Sequence, residues 1–542
     1  MDSSVTIERK GARADQCCEL ACGTTPGEIH LKVAVLRVQK SGRTRDVHAT
    51  APADGRNAER VARHVHLCRE PRQAPLTLEL RKASAHLSAS PESAADCHKQ
   101  EGGHCQEQDP DQPTHGSDSS GNSEAKSPKL KLKVQSELMR TRYGLSPWTL
   151  DVPASRVASH PKFRGDSTAD IVVIGAGITG CAVAYACAAA GLDTLVLEAD
   201  RVGRGATSRG AGLLAPEPGP SFRDVLAAHG LRDARRVFEA WRTGVTQGAA
   251  LLRRLRINCQ LEARETLLVA RGDDERDLRK EHAARSEAGL DFGWQTPKQL
   301  SARMKLDASG GVKIRDGYVL DPFKACLGLA TAAVRKGATF CEQSPVKRVR
   351  FTRKDADVIT AQGTIRAGTV IVTTGSATAE FAGLRRHFKR RETYLALTEP
   401  VPAGMRKELG DRAVVLGDAG AEPMRIRWAA GDRLMVSGAE QDETSLKARP
   451  AVLVQRTGQL MYDLLKTYPA ISGLQPEYGW EASYGRSADG LMYIGAHRNY
   501  PHQLFALGGS GDVTGAFVAS RILLRAIKGA SEKADEVFGW TR

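Results

Sequence analysis

The stretch DIVVIGAGITGCAVAYACAAAGLDTLVLE, residues 170–198, leaves this chain few folds to choose from. Ile171 to Ile174 are four successive apolar residues, the texture of a short strand buried on both faces. Gly175, Gly177 and Gly180 follow at the spacing G-x-G-x-x-G, then an alanine-rich helix, then a second apolar strand, Thr194 to Leu197, ending at Glu198. The glycines act in different ways. Gly175 allows the tight turn, Gly177 lets backbone approach a pyrophosphate, and Gly180 lets the helix pack close to the strand. The helix start at Ile178 and Thr179 offers unpaired N–H groups and a positive dipole end to phosphates. Glu198, followed by Ala199, stands where a carboxylate accepts hydrogen bonds from a ribose. Strand, loop, helix and acidic residue agree, so the unit predicts a dinucleotide site on an α/β, Rossmann-type mixed βαβ sheet.

A chain of 542 residues has room for two to four domains. No run approaches 18 apolar residues, which excludes a simple membrane-spanning helix. The opening MDSSVTIERKGARADQ is polar and carries acids, unlike a secretory or transit peptide, so a cytoplasmic location is expected. The net charge is +15; residues 1–137 hold 20 Lys/Arg and 19 Asp/Glu, so +14 belongs to the remainder. That excess reads as an Arg-rich solvated surface or as attraction of anionic ligands. The eleven cysteines contain no C-x-x-C pair and suggest no disulfide framework; Cys181 and Cys187 read as packing on the first helix.

Residues 1–137 lack sustained periodicity apart from a strand pattern at Leu31 to Val38, and residues 87–128 have a disordered composition. Cys97-His98 and His104-Cys105 match no familiar zinc spacing, so no metal is expected. Residues 138–167 read as an ordered lead-in anchored by Trp148 and Phe163. Beyond it the pattern divides into a nucleotide-binding domain drawn from 168–225, 321–380 and 480–542, and an interleaved α+β substrate domain with an antiparallel sheet, from 226–320 and 381–479. A helical pattern fills 223–257, a helix ends at Gly337, CEQSPVKRVRF reads as one edge strand, and MRIRWAAGDRLMVSG reads as a hairpin. LFALGGSGDVTGAFVASRILLRAI reads as strand, glycine turn and long helix.

IGAGITG at 174–180, GRGATSRGAGLL at 203–214, VIVTTGS at 370–376 and DGLMYIG…LFALGGSGDVTGAF at 489–517 together resemble the FAD-dependent D-amino-acid oxidase (DAO) superfamily, in its glycine oxidase, sarcosine oxidase and γ-glutamylputrescine oxidase branch. The resemblance covers about residues 138–535. It implies that Gly205, Ala206, Thr207, Gly212 and Leu213 carry the flavin end of FAD, that Val346 touches the adenine, and that Thr374 and Gly375 close over the pyrophosphate. It also implies that Gly508, Gly509, Gly511, Asp512, Val513 and Thr514 bring a helix start to the pyrimidine ring. Arg209 occupies the region where some members attach flavin through histidine, and no cysteine follows Cys341, so non-covalent FAD is expected.

The resemblance implies oxidation of a C–N bond by hydride transfer to flavin N5, giving an imine. An amino-acid substrate needs an arginine for its carboxylate, and Arg486, Arg425 and Arg427 are the candidates, with Tyr484 and His502 behind them. Met492 stands where the family usually has proline. The expected partners are a small amine or amino acid and an electron acceptor, oxygen or another. Two other readings stay open: a tRNA-modifying flavoenzyme of the same fold, suggested by the basic body but without a visible RNA-binding module, and a non-catalytic flavin-binding subunit of a larger dehydrogenase. A homo-oligomer also stays open.

Overall fold

The computed structural model describes residues 141–542 apart from 291, 421–422 and 510, and the backbone of three N-terminal strands. Those strands, Leu31–Lys40, Arg43–Pro52 and Glu79–Ala83, form an antiparallel sheet with Leu31–Lys40 in the centre. The first matches the strand pattern at Leu31 to Val38; its two partners, poorer in alternating apolar residues, carry no comparable sequence signal. Residues 87–128, with Cys97, His98, His104 and Cys105, lie outside the described residues.

The body is built on two sheets. In the smaller one the strands run Thr339–Cys341, Thr194–Leu197, Ser167–Ile174 and Thr364–Gly375, all parallel. Their apolar runs are covered on both faces, as parallel strands require: Val172, Val173, Val196, Val370, Ile371 and Val372 are buried. The long Thr364–Gly375 strand changes neighbour along its length. Its first half pairs with Ala356–Ile359, which in turn pairs with Arg348–Phe351; its second half runs parallel to Tyr500–Leu507. The run CEQSPVKRVRF is therefore two edge strands rather than one. Backbone amides in its middle turn away to Pro161, Asp200 and Glu198 carbonyls, which breaks the ladder.

The larger sheet has ten strands, mostly antiparallel. From one edge run Arg142–Tyr143, Pro476–Arg486, Lys389–Thr398, Arg433–Asp442, Arg425–Ala429, Val414–Asp418, Glu262–Ala270, Gly310–Val319 and Leu213–Leu214, with Gly293–Gln295 added beside Gly310–Val319. The hairpin at 425–442 turns where expected, at Gly431 and Asp432, both with positive φ. Pro476–Arg486 belongs whole to this sheet, so a boundary at residue 480 falls inside a strand. One face of the sheet buries Tyr394, Ala396 and Val436 against Leu460 and Leu464 of the Arg449–Thr467 helix. The other carries Leu395, Met435, Tyr478 and Trp480, which pack with Trp148 of the lead-in and Phe323.

Helices complete the layers. Ile178–Ala189 and Thr514–Ile527 share the largest core with Pro322–Arg335 and Phe222–Arg254. The helical pattern over 223–257 is interrupted at Gly230, whose φ of 77° and ψ of 168° kink the segment into two helices. Pro322–Arg335 is capped by Asp321, which accepts the Phe323 and Lys324 amides at 3.0 Å, and ends before Gly337 as expected. Phe163 is buried with the small sheet, so both aromatic anchors of the lead-in are seated.

Candidate flavin and substrate site

The dinucleotide loop is shaped by contacts too close for any side chain. A Cβ on Gly180 would lie 1.9 Å from the Gly175 carbonyl oxygen. Gly175 itself has φ of 100°. The helix begins at Ile178 with no side-chain cap from Gly177, which leaves its first-turn N–H groups facing the loop. The Ile178 amide is an exception: it donates to Thr207 Oγ1 at 2.9 Å, so the 203–214 segment already touches the helix start. Glu198 closes the other side. Its carboxylate accepts the Ala176 amide at 2.7 Å and the Asp200 amide at 2.9 Å, and Ala199 beside it is exposed. Ser344 donates its amide to the Glu198 carbonyl at 2.8 Å, placing the turn that contains Val346 next to the strand tip.

Thr374 and Gly375 end the central strand beside this loop. The Gly508 amide donates to the Gly375 carbonyl at 2.9 Å, joining the C-terminal turn to it. Thr373, part of the VIVTTGS motif but assigned no role from the sequence, donates its hydroxyl to the Gly175 carbonyl at 2.9 Å and locks the loop to the strand. A threonine inside a buried apolar strand is the only trace of that role in the sequence.

The two remote glycine segments meet. A Cβ on Gly210 would lie 3.3 Å from the Gly511 carbonyl oxygen. The Val513 amide donates to the Leu213 carbonyl at 2.9 Å, and Thr514 Oγ1 to the Ala215 carbonyl at 2.7 Å. Gly508, Gly509 and Gly511 all have positive φ, and Asp512 Oδ1 accepts the Gly515 amide at 3.2 Å at the start of the last helix. Met492 packs beneath this turn, within 3.1 Å of where a Gly509 Cβ would stand. Gly205 and Ala206 are exposed, and nothing lies within 4 Å of a Gly205 Cβ, so backbone there is open to a ligand. An uncapped helix start, a carboxylate at the strand tip, and a second glycine turn touching the first form a continuous cradle that fits FAD.

The large sheet faces this cradle with basic residues. Arg427 is buried and reaches into it: Nε and Nη2 donate to the Ala211 carbonyl at 3.1 and 2.7 Å, and Nη1 to the Trp428 carbonyl at 3.3 Å. Burial, with Arg264 nearby, pushes its guanidinium down to about 10. Two further bonds tie the same segment down: Trp148 Nε1 donates to the Gly210 carbonyl at 3.0 Å and Trp480 Nε1 to the Arg209 carbonyl at 2.9 Å. Arg209 completes the tie through an ion pair with Glu481 at 3.0 Å. Arg425, two residues before Arg427, shares its face of the strand. It makes no ion pair with any described residue, and the Glu217 carboxylate lies within its electrostatic reach. Burial pushes the Glu217 carboxyl up, against the pull of Arg285, whose Nη1 is 2.6 Å away.

Arg486 is placed differently. It is 48% exposed and pairs with Glu440 at 3.2 Å, and Glu440 also holds Arg391 and the Tyr484 hydroxyl. Burial and the Glu440 charge push the Tyr484 phenol up. His502 lies near the start of the Tyr500–Leu507 strand, six residues and roughly 20 Å of strand before the glycine turn that starts at Gly508. The structure therefore puts Arg425 and Arg427 on one strand face, with Arg427 bonded to the cradle segment, ties Arg486 and Tyr484 into one cluster around Glu440, and sets His502 apart.

Comparison with known proteins agrees with this geometry. Residues 170–525 match the DAO family model, FAD dependent oxidoreductase. The chain is 26% identical over 383 residues to a probable oxidoreductase, OrdL, of Haemophilus influenzae, covering 67% of this chain and 84% of that protein. It is 25% identical over 396 residues to gamma-glutamylputrescine oxidoreductase of Escherichia coli, covering 70% and 89%. The crystal structure of glycine oxidase from Geobacillus kaustophilus superposes with a TM-score of 0.59 at 18% identity, over 69% of this chain and 99% of that one. The chain is a member of the DAO family of FAD-dependent oxidoreductases, and FAD is its cofactor.

Proposed function

We propose that this protein oxidises the C–N bond of a small amino acid or related amine. Bound FAD supplies the hydride acceptor. The reading is carried by one observation: the segment at 211–213 is bonded at once to the last helix start, through Val513, and to the substrate-facing sheet, through Arg427. A flavin held there by Gly205, Ala206, Thr207, Gly212 and Leu213 would have the sheet face in front of it. Gly175, Gly177, Ile178, Thr179, Gly180, Glu198, Ala199, Val346, Thr374 and Gly375 would hold the adenosine and pyrophosphate. Gly508, Gly509, Gly511, Asp512, Val513 and Thr514 would hold the pyrimidine end, where the helix dipole favours negative charge.

In this reading the three arginines divide their work. Arg425 binds the substrate carboxylate, because of the two arginines on that strand face it is the one whose side chain is not spent on a hydrogen bond to another described residue. Arg427 positions the flavin segment, since its nitrogens are already spent on backbone carbonyls. Arg486 orients Glu440 and Tyr484 at the rim. The Glu217 carboxyl, raised by burial and paired with Arg285 at 2.6 Å, lies within electrostatic reach of Arg425. The testing experiment adds amines and amino acids to the purified protein without oxygen and follows the flavin band. Repetition in air separates an oxidase from a dehydrogenase.

A further inference from the structure

A cavity of about 520 Å³ is lined by none of the glycines of the flavin cradle. It opens between the lead-in at residues 151–160, the end of the Phe222–Arg254 helix and the Pro322–Arg335 helix. That volume is in the range of small-ligand pockets. Its rim is basic: Arg156, Arg256, Arg335 and Lys336 line it, and none makes an ion pair with a described residue. Asp151 is the one carboxylate in the lining. Its floor is apolar, formed by Tyr185, Leu255, Ile257 and Leu327.

Arg256 holds an unusual backbone position. The Arg256 amide donates to Arg253 at 2.9 Å and the Ile257 amide to Leu252 at 3.0 Å, a helix-ending motif whose left-handed residue is ordinarily glycine. Here it is arginine, with φ of 53°. A left-handed non-glycine residue costs conformational energy, and residues kept in such positions cluster at functional sites. The strained position places Arg256 in the cavity lining.

We propose that this cavity binds a nucleoside phosphate at a site separate from FAD. Planar guanidinium forks suit phosphate oxygens, which they bind in pairs. The apolar floor, which includes the buried Tyr185, suits a base. The site also gives a specific destination to part of the +14 charge carried by residues 138–542. It does not depend on which substrate the flavin oxidises.

The test uses the full chain saturated with FAD, so that the flavin cradle cannot accept the probe. Calorimetric titration with ADP is expected to show one binding event per chain, weakening as salt is raised. The double variant Arg256→Gln/Arg335→Gln removes two exposed cations and is expected to lower ADP affinity at least tenfold, with flavin content unchanged. Thr331→Trp, which fills the cavity without altering its charge, is expected to abolish binding. Pyrophosphate alone is expected to bind more weakly than ADP. Failure of ADP to bind the FAD-saturated protein would overturn the proposal, leaving the cations to serve the two helix ends. Undiminished binding in both variants would overturn it equally, and pyrophosphate binding as tightly as ADP would overturn the assignment of the apolar floor.

Discussion

Gly180 and Gly205 lie in the same cradle but answer to different constraints. A methyl group at Gly180 would collide with backbone, 1.9 Å from the Gly175 carbonyl, which no side-chain movement relieves. A methyl group at Gly205 meets nothing within 4 Å. Gly180→Ala is expected to disrupt the loop and abolish FAD retention, whereas Gly205→Ala leaves the fold intact and is expected to weaken FAD retention only by crowding the space left for the ligand, as thermal unfolding and absorbance of the purified variants will report. The arginines separate in the same way. Arg425→Gln removes a charge-assisted carboxylate contact worth about 1.5–3 kcal/mol, so kcat/KM for an amino-acid substrate falls roughly 10–100-fold, mainly through KM. Arg486→Gln is expected to change it less than threefold, and equal losses in the two variants would count against the division of roles proposed here. The glycines were legible in the sequence because each answers a local steric demand of the loop. The arginines were not. Whether Arg425, Arg427 or Arg486 is engaged depends on Ala211, over 200 residues before the strand that holds two of them, and on Glu440, which the register of the large sheet sets beside the third.

Elements repeat this pattern. Thr194–Leu197 and the Thr514–Ile527 helix match their sequence signals closely, because a buried run and a glycine turn both act over a few residues. The two short strands at 339–341 and 348–351 merged into one in the sequence because only tertiary hydrogen bonds divide them. The turn carrying Met492 has a support that no motif announces. Arg542, its side chain 5% exposed, grips Asp489 at 2.6 Å, donates to the Leu491 carbonyl at 2.8 Å and lies over the Tyr493 ring, while Trp540 stacks on Tyr493 at 4.4 Å. Burial alone would raise the Asp489 carboxyl, but the Arg542 guanidinium overrides it and holds the group down to about 2. The folded value lies below the ordinary carboxylate value of about 4, so the stabilisation is complete above about pH 4 and disappears as pH falls through about 2. It amounts to about 2 kcal/mol. Denaturant unfolding of Asp489→Asn beside the parent protein is expected to show that deficit at pH 7 and a shrinking one towards pH 3. A deficit independent of pH would show that the clasp does not act through charge.

At the scale of the whole molecule, the chain passes repeatedly between its two sheets, so segments almost 300 residues apart, at 210–213 and 511–514, build one cradle. The first of these is fixed by Trp148, Arg427 and Trp480, one from the lead-in and two from the large sheet. The lead-in is thus part of the machinery, while residues before it are not required by any contact described in the cradle. A chain of residues 138–542 is expected to fold with FAD bound and with unchanged turnover; loss of flavin on that truncation would assign the N-terminal region a structural part in the site. The proposed amine oxidation rests on the relation between the cradle and the sheet face. The most direct measurement of that relation is the visible spectrum of the purified full-length protein as amino acids and amines are added in the absence of oxygen. Bleaching of the oxidised flavin band by at least one amino acid or amine is the expected result, whereas a band that no member of a broad panel bleaches, yet dithionite reduces, would contradict it.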